Sequence, residues 1–325
     1  MAAGLSDTLI DAPPPRLAVL LCTHDGEAFL AGQLHSLLAQ NRLPQWVLVH
    51  DWGSRDGTRA LVEACRQRSP AAVQWSLHWH AQAPGATRSF LDAIEHSLNT
   101  QPDFDYLLLC DQDDVWEADK LEVFARTIQA QPGLDLLYCD VSVIDAAGRP
   151  LATSYLGAGG AFGQPMDIAH ACTMFVSTAS GMSMALSRRF LERHRSAWAM
   201  PDWLAHDWAL TILAHLTAAR VAFVPQSLVR YRQHAGNLVG GQGGTRRSGQ
   251  GGGWSPLAAW ARARRHVDAV QRQYEACASR LPIDAAQRPR AGVGRWAVAR
   301  AVLAGRSLRG LRKCRVALGY LLLWR

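Results

Sequence analysis

Apolar and polar positions change in blocks along the chain. Leu17 to Cys22 is an unbroken apolar run, as expected of a strand buried on both faces. Between Glu27 and Gln40, Phe29, Leu30, Leu34, Leu37 and Leu38 fall at helical spacing. Trp46 to Val49 predicts a strand, Thr58 to Gln67 a helix, Val73 to Trp79 a strand and Ser89 to Leu98 a helix. Tyr106 to Cys110 then predicts a strand and Glu117 to Ala130 a helix. This alternation predicts an α/β fold with a mainly parallel sheet flanked by helices on both faces. In such sheets ligands gather beyond the carboxyl ends of the strands. Thr23-His24-Asp25, Asp51-Trp52-Gly53-Ser54 and Asp111-Gln112-Asp113-Asp114 all follow strand ends.

The later pattern is less regular. Leu136 to Ile144 reads as a strand closing on a turn at Asp145-Ala146-Ala147-Gly148. Gly181 to Leu186 is an apolar patch before a helix-like Ser187 to His194. His206-Asp207-Trp208 opens a helical Ala209 to Leu216, and Val221 to Val224 reads as a strand. Four regions result: a loose lead over 1–15, ending in three prolines; a body over 16–239; a linker over 240–254; and a basic amphipathic helical tail over 255–325. Eight glycines fall between 240 and 253, a composition suited to a flexible connection.

Charge sharpens this division. Residues 1–240 carry a net −7 and residues 241–325 a net +14, so the chain's +7 hides an acidic body with a basic tail. At 49% hydrophobic the body can bury a substantial core. The seven cysteines (Cys22, Cys65, Cys110, Cys139, Cys172, Cys277 and Cys314) form no C-x-x-C pair, which points to a reducing compartment. Met1 to Pro15 lacks a basic region followed by an apolar stretch, so no signal peptide is expected. Val316 to Trp324 is too short to span a bilayer.

The acidic cluster carries the first chemical hint. Three carboxylates in four residues repel one another unless a cation sits among them. Oxygen ligands of this kind suit Mg²⁺ or Mn²⁺, which commonly keep substrate phosphates in their shell. The alternative is a solvated acidic turn before the next helix.

The phrases L-C-T-H-D-G-E, V-L-V-H-D-W-G-S and Y-L-L-L-C-D-Q-D-D-V-W-E-A-D-K-L resemble, in their order and spacing, glycosyltransferase family 2, inverting enzymes of the GT-A fold. D-Q-D-D-V-W, H-D-W and Y-R-Q-H-A-G-N are similar to its bacterial rhamnosyltransferase-type members, and the resemblance covers about 16–240. It implies a Rossmann-like body that binds a nucleoside-diphosphate sugar, dTDP-L-rhamnose among the candidates. Asp111 and Asp113 match the family's D-x-D positions: Asp113 is expected to hold the metal, and Asp111 the ribose or the metal. Asp114 is expected to meet the donor sugar or orient a neighbour, or else to cap the next helix. Asp51 matches the nucleotide-binding acid, its alternative being an Asx turn closing on Ser54. Here the family commonly has two adjacent acids and this chain has Asp51 followed by Trp52, which could pack on the base. Thr23 matches a base-contacting position. His24 and Asp25 replace an aromatic-Asn pair.

Glu27 matches an acid that often follows, or serves as a first-turn acid. Arg88 could reach the diphosphate or remain a solvated helix residue. Asp207 matches the catalytic acid residue, expected to act as base on the acceptor hydroxyl, with helix capping as the alternative. Trp203 and Trp208 beside it could wall a sugar ring. Arg232 is expected near the departing diphosphate, and His234 is either a further metal contact or structural.

The tail interleaves Arg295, Arg300, Arg306, Arg309, Arg312, Lys313 and Arg315 with apolar residues and ends near Trp324. That pattern suits an anionic membrane surface, or packing on the acidic body. The expected acceptor is a surface glycan or lipid-linked glycan, at the inner face of a bacterial membrane on the cytoplasmic side. No nucleic-acid-binding motif accompanies the charge. A sugar nucleotidyltransferase is a rival reading, but Cys22-Thr23-His24-Asp25-Gly26 lacks the Gly-rich, basic loop that would cradle a triphosphate. A non-catalytic scaffold of the same fold is another.

Overall fold

The computed structural model describes residues 13–100, 103–155, 179–200 and 203–237, with 269, 272–273 and 275–281 nearer the C-terminus. Strand β1 (Leu17–Thr23) is buried along its whole length. It pairs in parallel with β2 (Trp46–Trp52) on one side and β4 (Tyr106–Cys110) on the other. Its side chains alternate between two cores, as strand geometry requires. Ala18 and Leu20 face Phe90 and Ile94 of helix α3 (Ala86–Thr100). Leu17, Val19 and Leu21 face Leu30, Leu34 and Leu37 of α1 (Glu27–Leu38) and Phe124 of α4 (Lys120–Ala130). Helix α2 (Thr58–Arg68) follows β2 and leads to β3 (Gln74–His80), which completes the parallel edge.

The sheet order is β3-β2-β1-β4, then β8 (Met184–Ser187), β6 (Leu136–Asp145), β9 (Val221–Gln233) and β5 (Val115–Trp116), with β7 (Pro150–Ala152) paired to β6. Strand β8 (Met184–Ser187) runs antiparallel between β4 and β6 (Leu136–Asp145), and β9 (Val221–Gln233) is parallel to β6. Strands β1, β2, β3, β4, β6 and β9 therefore point one way, so the mainly parallel α/β sheet is observed and Thr23, Asp51 and Asp111 share one edge. Helices α5 (Arg188–Arg193), α6 (Arg195–Trp198) and α7 (His206–Leu216) pack beyond β8.

Several boundaries differ from the sequence pattern. Glu117 does not open α4. Val115–Trp116 is a short strand, β5, held extended by antiparallel pairing with Arg230 and Val229, and the helix starts at Lys120. The predicted Val221 to Val224 strand continues to Gln233 across a bulge: Val224 pairs with Cys139 and Ser227 with Asp140, leaving Pro225 and Gln226 out of the ladder. A proline is tolerated there because no ladder N–H is required. The turn after Asp145 closes a hairpin onto β7 (Pro150–Ala152).

Cys22, Cys65, Cys110, Cys139 and Cys277 are free thiols. The 240–254 linker and most of the tail, including 282–325, lie outside the described residues, as do Cys172 and Cys314. Cys277 and Leu281 are buried in the same core as α7, so this part of the tail packs on the body. Among the described residues no helix is long and apolar enough to cross a membrane.

Leu108 is fully buried in β4, whereas Leu151 on β7 is 59% exposed. Leu108→Ala is expected to cost about 2–5 kcal/mol in denaturant unfolding, and Leu151→Ala to stay within about 0.5 kcal/mol of the parent.

Candidate active site

Three strand-end loops are clasped together by side chains reaching across. Gln112 accepts from His24 N at 2.8 Å and donates through Nε2 to His24 O at 3.0 Å. The loop after β1 is tied to the loop after β2 in the same way. Arg55 N donates to Asp25 Oδ1 at 2.8 Å, Gly57 N to Glu27 Oε2 at 2.9 Å and Glu27 N to Asp56 Oδ2 at 3.0 Å. Glu27 therefore fastens two loops, and Asp25 takes a positive φ of 45° within the same clasp. Gly53, at φ +77°, closes the turn after β2; a Cβ there would lie 2.7 Å from Ala81 O.

Asp51 is fully buried and fully engaged. Its Oδ2 accepts from Thr23 Oγ1 at 3.0 Å and from Ser54 Oγ, and its Oδ1 from Arg59 Nε at 2.9 Å and Ser54 N at 3.2 Å. The Asx-type turn onto Ser54 is thus present. Trp52 is 7% exposed and stacks on His80, ring centroids 3.7 Å apart. Arg88 lies in the first turn of α3, paired with Asp92 one turn on.

The acids after β4 are crowded. Burial pushes the Asp111 carboxyl up to about 7, reinforced by repulsion from Asp113 and Asp207 and opposed by Lys120. Asp114 is driven well above the usual carboxylate range by burial and by Asp111 and Asp113. It does not cap α4, whose cap position is Asp119. Its Oδ1 instead accepts from Arg232 N at 2.9 Å, and its buried Oδ2 has no hydrogen-bond partner. Arg232 latches the end of β9 onto this cluster: Nε donates to Asp113 O at 2.8 Å and Nη1 to Ala146 O at 3.1 Å. Its guanidinium lies over Phe29, and the His234 ring packs on the same phenyl at 4.5 Å. His234 Nε2 meets Asp113 Oδ2 at 2.8 Å. Gly236 N donates to His234 Nδ1 at 3.1 Å, which places the imidazole proton on Nε2, facing Asp113. In that tautomer His234 donates to Asp113, and ligation through Nε2 requires Gly236 to move.

Asp207 is the second residue of α7, whose cap is Ala205. Burial raises its carboxyl to about 6, against the N–H groups of Trp208 and Gly181 that stabilise the charge. The repulsion between Asp207 and Asp111 places both carboxylates in one electrostatic neighbourhood. Trp203 is core: it is 6% exposed and its Nε1 donates to Trp198 O at 3.0 Å. Trp208 is half-buried.

Two parts of the site escaped sequence reasoning. Lys120 is fully buried behind the acids, its Nζ donating to Met182 O at 2.7 Å and lying 3.4 Å from the centre of the Trp116 ring. Burial lowers its pKa to about 8. A signal existed: Lys120 shares the helical face of Phe124, where a lysine is out of place unless held. The other is the 3-10 turn Gly181–Ser183, which joins Lys120 (through Met182 O) to Asp207 (through Gly181). A Cβ on Gly181 would lie 2.4 Å from His206 Nε2, so a larger residue at its start would displace that imidazole.

The sequence profile of the glycosyltransferase like family 2 matches residues 14–239. The chain belongs to this family and is a glycosyltransferase. Among solved structures, it is similar to S. aureus TarS 1–349 in complex with UDP-GlcNAc (TM-score 0.55, 16% identity, covering 94% of this chain and 71% of that one). The same TarS fragment in complex with UDP superposes with a TM-score of 0.53 at 16% identity, over 94% of this chain and 70% of that one. At this identity the likeness concerns the fold. A search of curated protein sequences finds no match.

Carboxyls raised above their unfolded values hold protons in the folded state. Their contribution to stability is therefore full below about pH 4 and is lost as pH rises toward 7 and beyond. A cation among them should offset that loss. Mn²⁺ is expected to raise the melting temperature more at pH 7.5 than at pH 5, and Asp113→Asn to remove the difference, as read by differential scanning fluorimetry.

Proposed function

We propose that this glycosyltransferase inverts configuration, taking a sugar from a nucleoside diphosphate and passing it to a glycan or lipid-linked glycan of the cell surface. The observation that carries the reading is the pairing, at one sheet edge, of a crowded acid cluster with a separate carboxylate, Asp207, raised to about 6. A base works best with a pKa near the operating pH. The Asp207 carboxylate takes the proton of an acceptor hydroxyl. That oxygen forms a bond to the anomeric carbon from the side opposite the nucleotide, and the carbon–oxygen bond to the diphosphate breaks, its electron pair leaving with the nucleoside diphosphate. Asp51, its oxygens already engaged, orients Thr23 and Ser54 toward the nucleoside, and Asp111 and Asp114 serve the ribose and donor sugar. Arg232 and Arg88 are the cations available to the diphosphate, Arg232 after releasing part of its backbone latch.

The acid cluster fits a hard divalent cation, Mg²⁺ or Mn²⁺, held by Asp111 and Asp113. The orphaned, buried Asp114 Oδ2 and the raised Asp111 are the marks of a site short of positive charge. Such an ion supplies neutralisation of the leaving diphosphate. In this reading His234 orients Asp113.

dTDP-L-rhamnose is the first donor to test, on the strength of the D-Q-D-D-V-W and Y-R-Q-H-A-G-N phrases. UDP-GlcNAc is the second, because TarS has been solved with it. With purified protein, Mn²⁺ and a panel of sugar nucleotides, one donor is expected to release its nucleoside diphosphate. Pyrophosphate release would instead mark a nucleotidyltransferase, and neither binding nor release across the panel would mark a scaffold. Asp207→Asn is expected to lower turnover about 10²–10⁴-fold with donor binding retained. Because the ionised form is the base, the parent rate should fall as pH drops through about 6. Turnover close to normal in Asp207→Asn would remove Asp207 from the mechanism.

The basic, apolar pattern beyond Leu281 supports peripheral attachment to an anionic membrane on the cytoplasmic side. Removing 282–325 leaves Cys277 and Leu281 in the core and is expected to shift the protein to the soluble fraction. Retention in the membrane fraction would overturn this assignment.

A further inference from the structure

A second cluster of chemistry-bearing side chains lies on the opposite face of the same sheet edge. Asp51 faces Arg59 on α2, whereas the next side chain back, His50, faces α3. The β2–β3 register sets His50 beside His78 and Trp52 beside His80, and His96 of α3 closes over them. One ring nitrogen from each of His50, His78 and His96 lies within 4.8 Å of the other two. His50 is 1% exposed.

These imidazoles are poorly satisfied as a protein core. His50 Nε2 and His96 Nε2 are buried without a hydrogen-bond partner. Leaving such groups unmet costs free energy unless something else binds them. His50 Nδ1 is 3.0 Å from His80 Nε2, and His80 in turn is stacked on Trp52. With the proton of His50 on Nδ1, donated to His80, its Nε2 is left as a lone pair. Holding a metal-binding imidazole through its other nitrogen is the usual outer-shell device. His78 Nε2 is anchored by Ser76 Oγ at 2.8 Å. Burial and the neighbouring rings hold His50 down to about 2, so it is neutral, the form that ligates.

We propose that His50, His78 and His96 form a binding site for a divalent transition-metal ion of the imidazole-preferring class, zinc(II) or a chemical equivalent, which ties α3 to the β2–β3 edge. Three imidazole nitrogens without a carboxylate suit zinc, not Mg²⁺ or Mn²⁺. Zinc–nitrogen bonds of about 2.0–2.1 Å bring tetrahedral ligands to roughly 3.3 Å from one another. The spread of up to 4.8 Å therefore closes by side-chain rotation of His78 and His96, both half-buried. The fourth position is left to water. The site is independent of the acids after β4 and of the donor reading.

The test uses the full chain carrying Asp113→Asn, so that the acid cluster does not compete, stripped with a chelator and titrated with Co²⁺. The expected result is a visible absorption band of tetrahedral cobalt that saturates at one equivalent, persists in excess Mg²⁺ and is displaced by Zn²⁺. His78→Gln and His96→Gln should each weaken Co²⁺ binding at least about a hundredfold, and His35→Gln, an exposed site on α1, should leave it unchanged. X-ray absorption on the zinc-loaded Asp113→Asn protein needs no histidine variant and should find imidazole nitrogens at about 2.0 Å. Absence of the band, its survival in both histidine variants, or an oxygen-only shell would each overturn the proposal.

Discussion

The organising constraint of this molecule is electrostatic: three carboxylates in four residues must be held together at the end of a buried strand. Burial raises the proton affinity of Asp111 and Asp114, and repulsion from Asp113 adds to both. The fold answers with cations set behind and beside the cluster. Lys120 lies beneath it, kept in place by a carbonyl and an indole face, and Arg232 pins its rim. Both cations spend their hydrogen bonds largely on backbone carbonyls, so the acids are restrained without being neutralised. What remains is a crowded acid cluster at the sheet edge, held in place by two cations.

The same economy governs the loops. Glu27 was expected as a site acid or a first-turn acid, yet it is committed, as are Asp25, Asp56 and Gln112, to a backbone N–H of a neighbouring loop. Loops without such ties would leave the acids at the mercy of chain motion, since irregular segments have few internal hydrogen bonds of their own. Rigidity on this side is therefore supplied by side chains bridging from strand end to strand end.

The parallel half of the sheet was legible because each of its strands is a continuous apolar run and each helix a periodic one. Tyr106–Cys110 is predicted to the residue. What escaped has a common cause. Strands β5, β7 and β8 are two to four residues long, too short for any period to register, and exist because a longer neighbour offers them a ladder. Strand β9 was cut short by Pro225, a residue that argues against a central strand unless a bulge takes it out of the pairing. Among the candidate site residues, Asp51, Asp111, Asp113 and Asp114 stood out by their position after strands and by family resemblance, and Asp207 by family resemblance. Lys120 and Gly181 did not: the helical face that Lys120 shares with Phe124 hints that it is held, but its partners, a distant carbonyl and an aromatic face, lie outside the local pattern. The histidine cluster is likewise dispersed over His50, His78 and His96, brought together only by register and by the crossing of α3.

Strand β8 has a consequence for how such an enzyme could diversify. It hydrogen-bonds directly to β4, the strand that ends in the acids, and its antiparallel course carries the chain to the helices that hold Asp207. The two carboxylate stations are thus tied to one hydrogen-bonded frame. Side chains around the two carboxylates could then change without disturbing the strand pairing that spaces them.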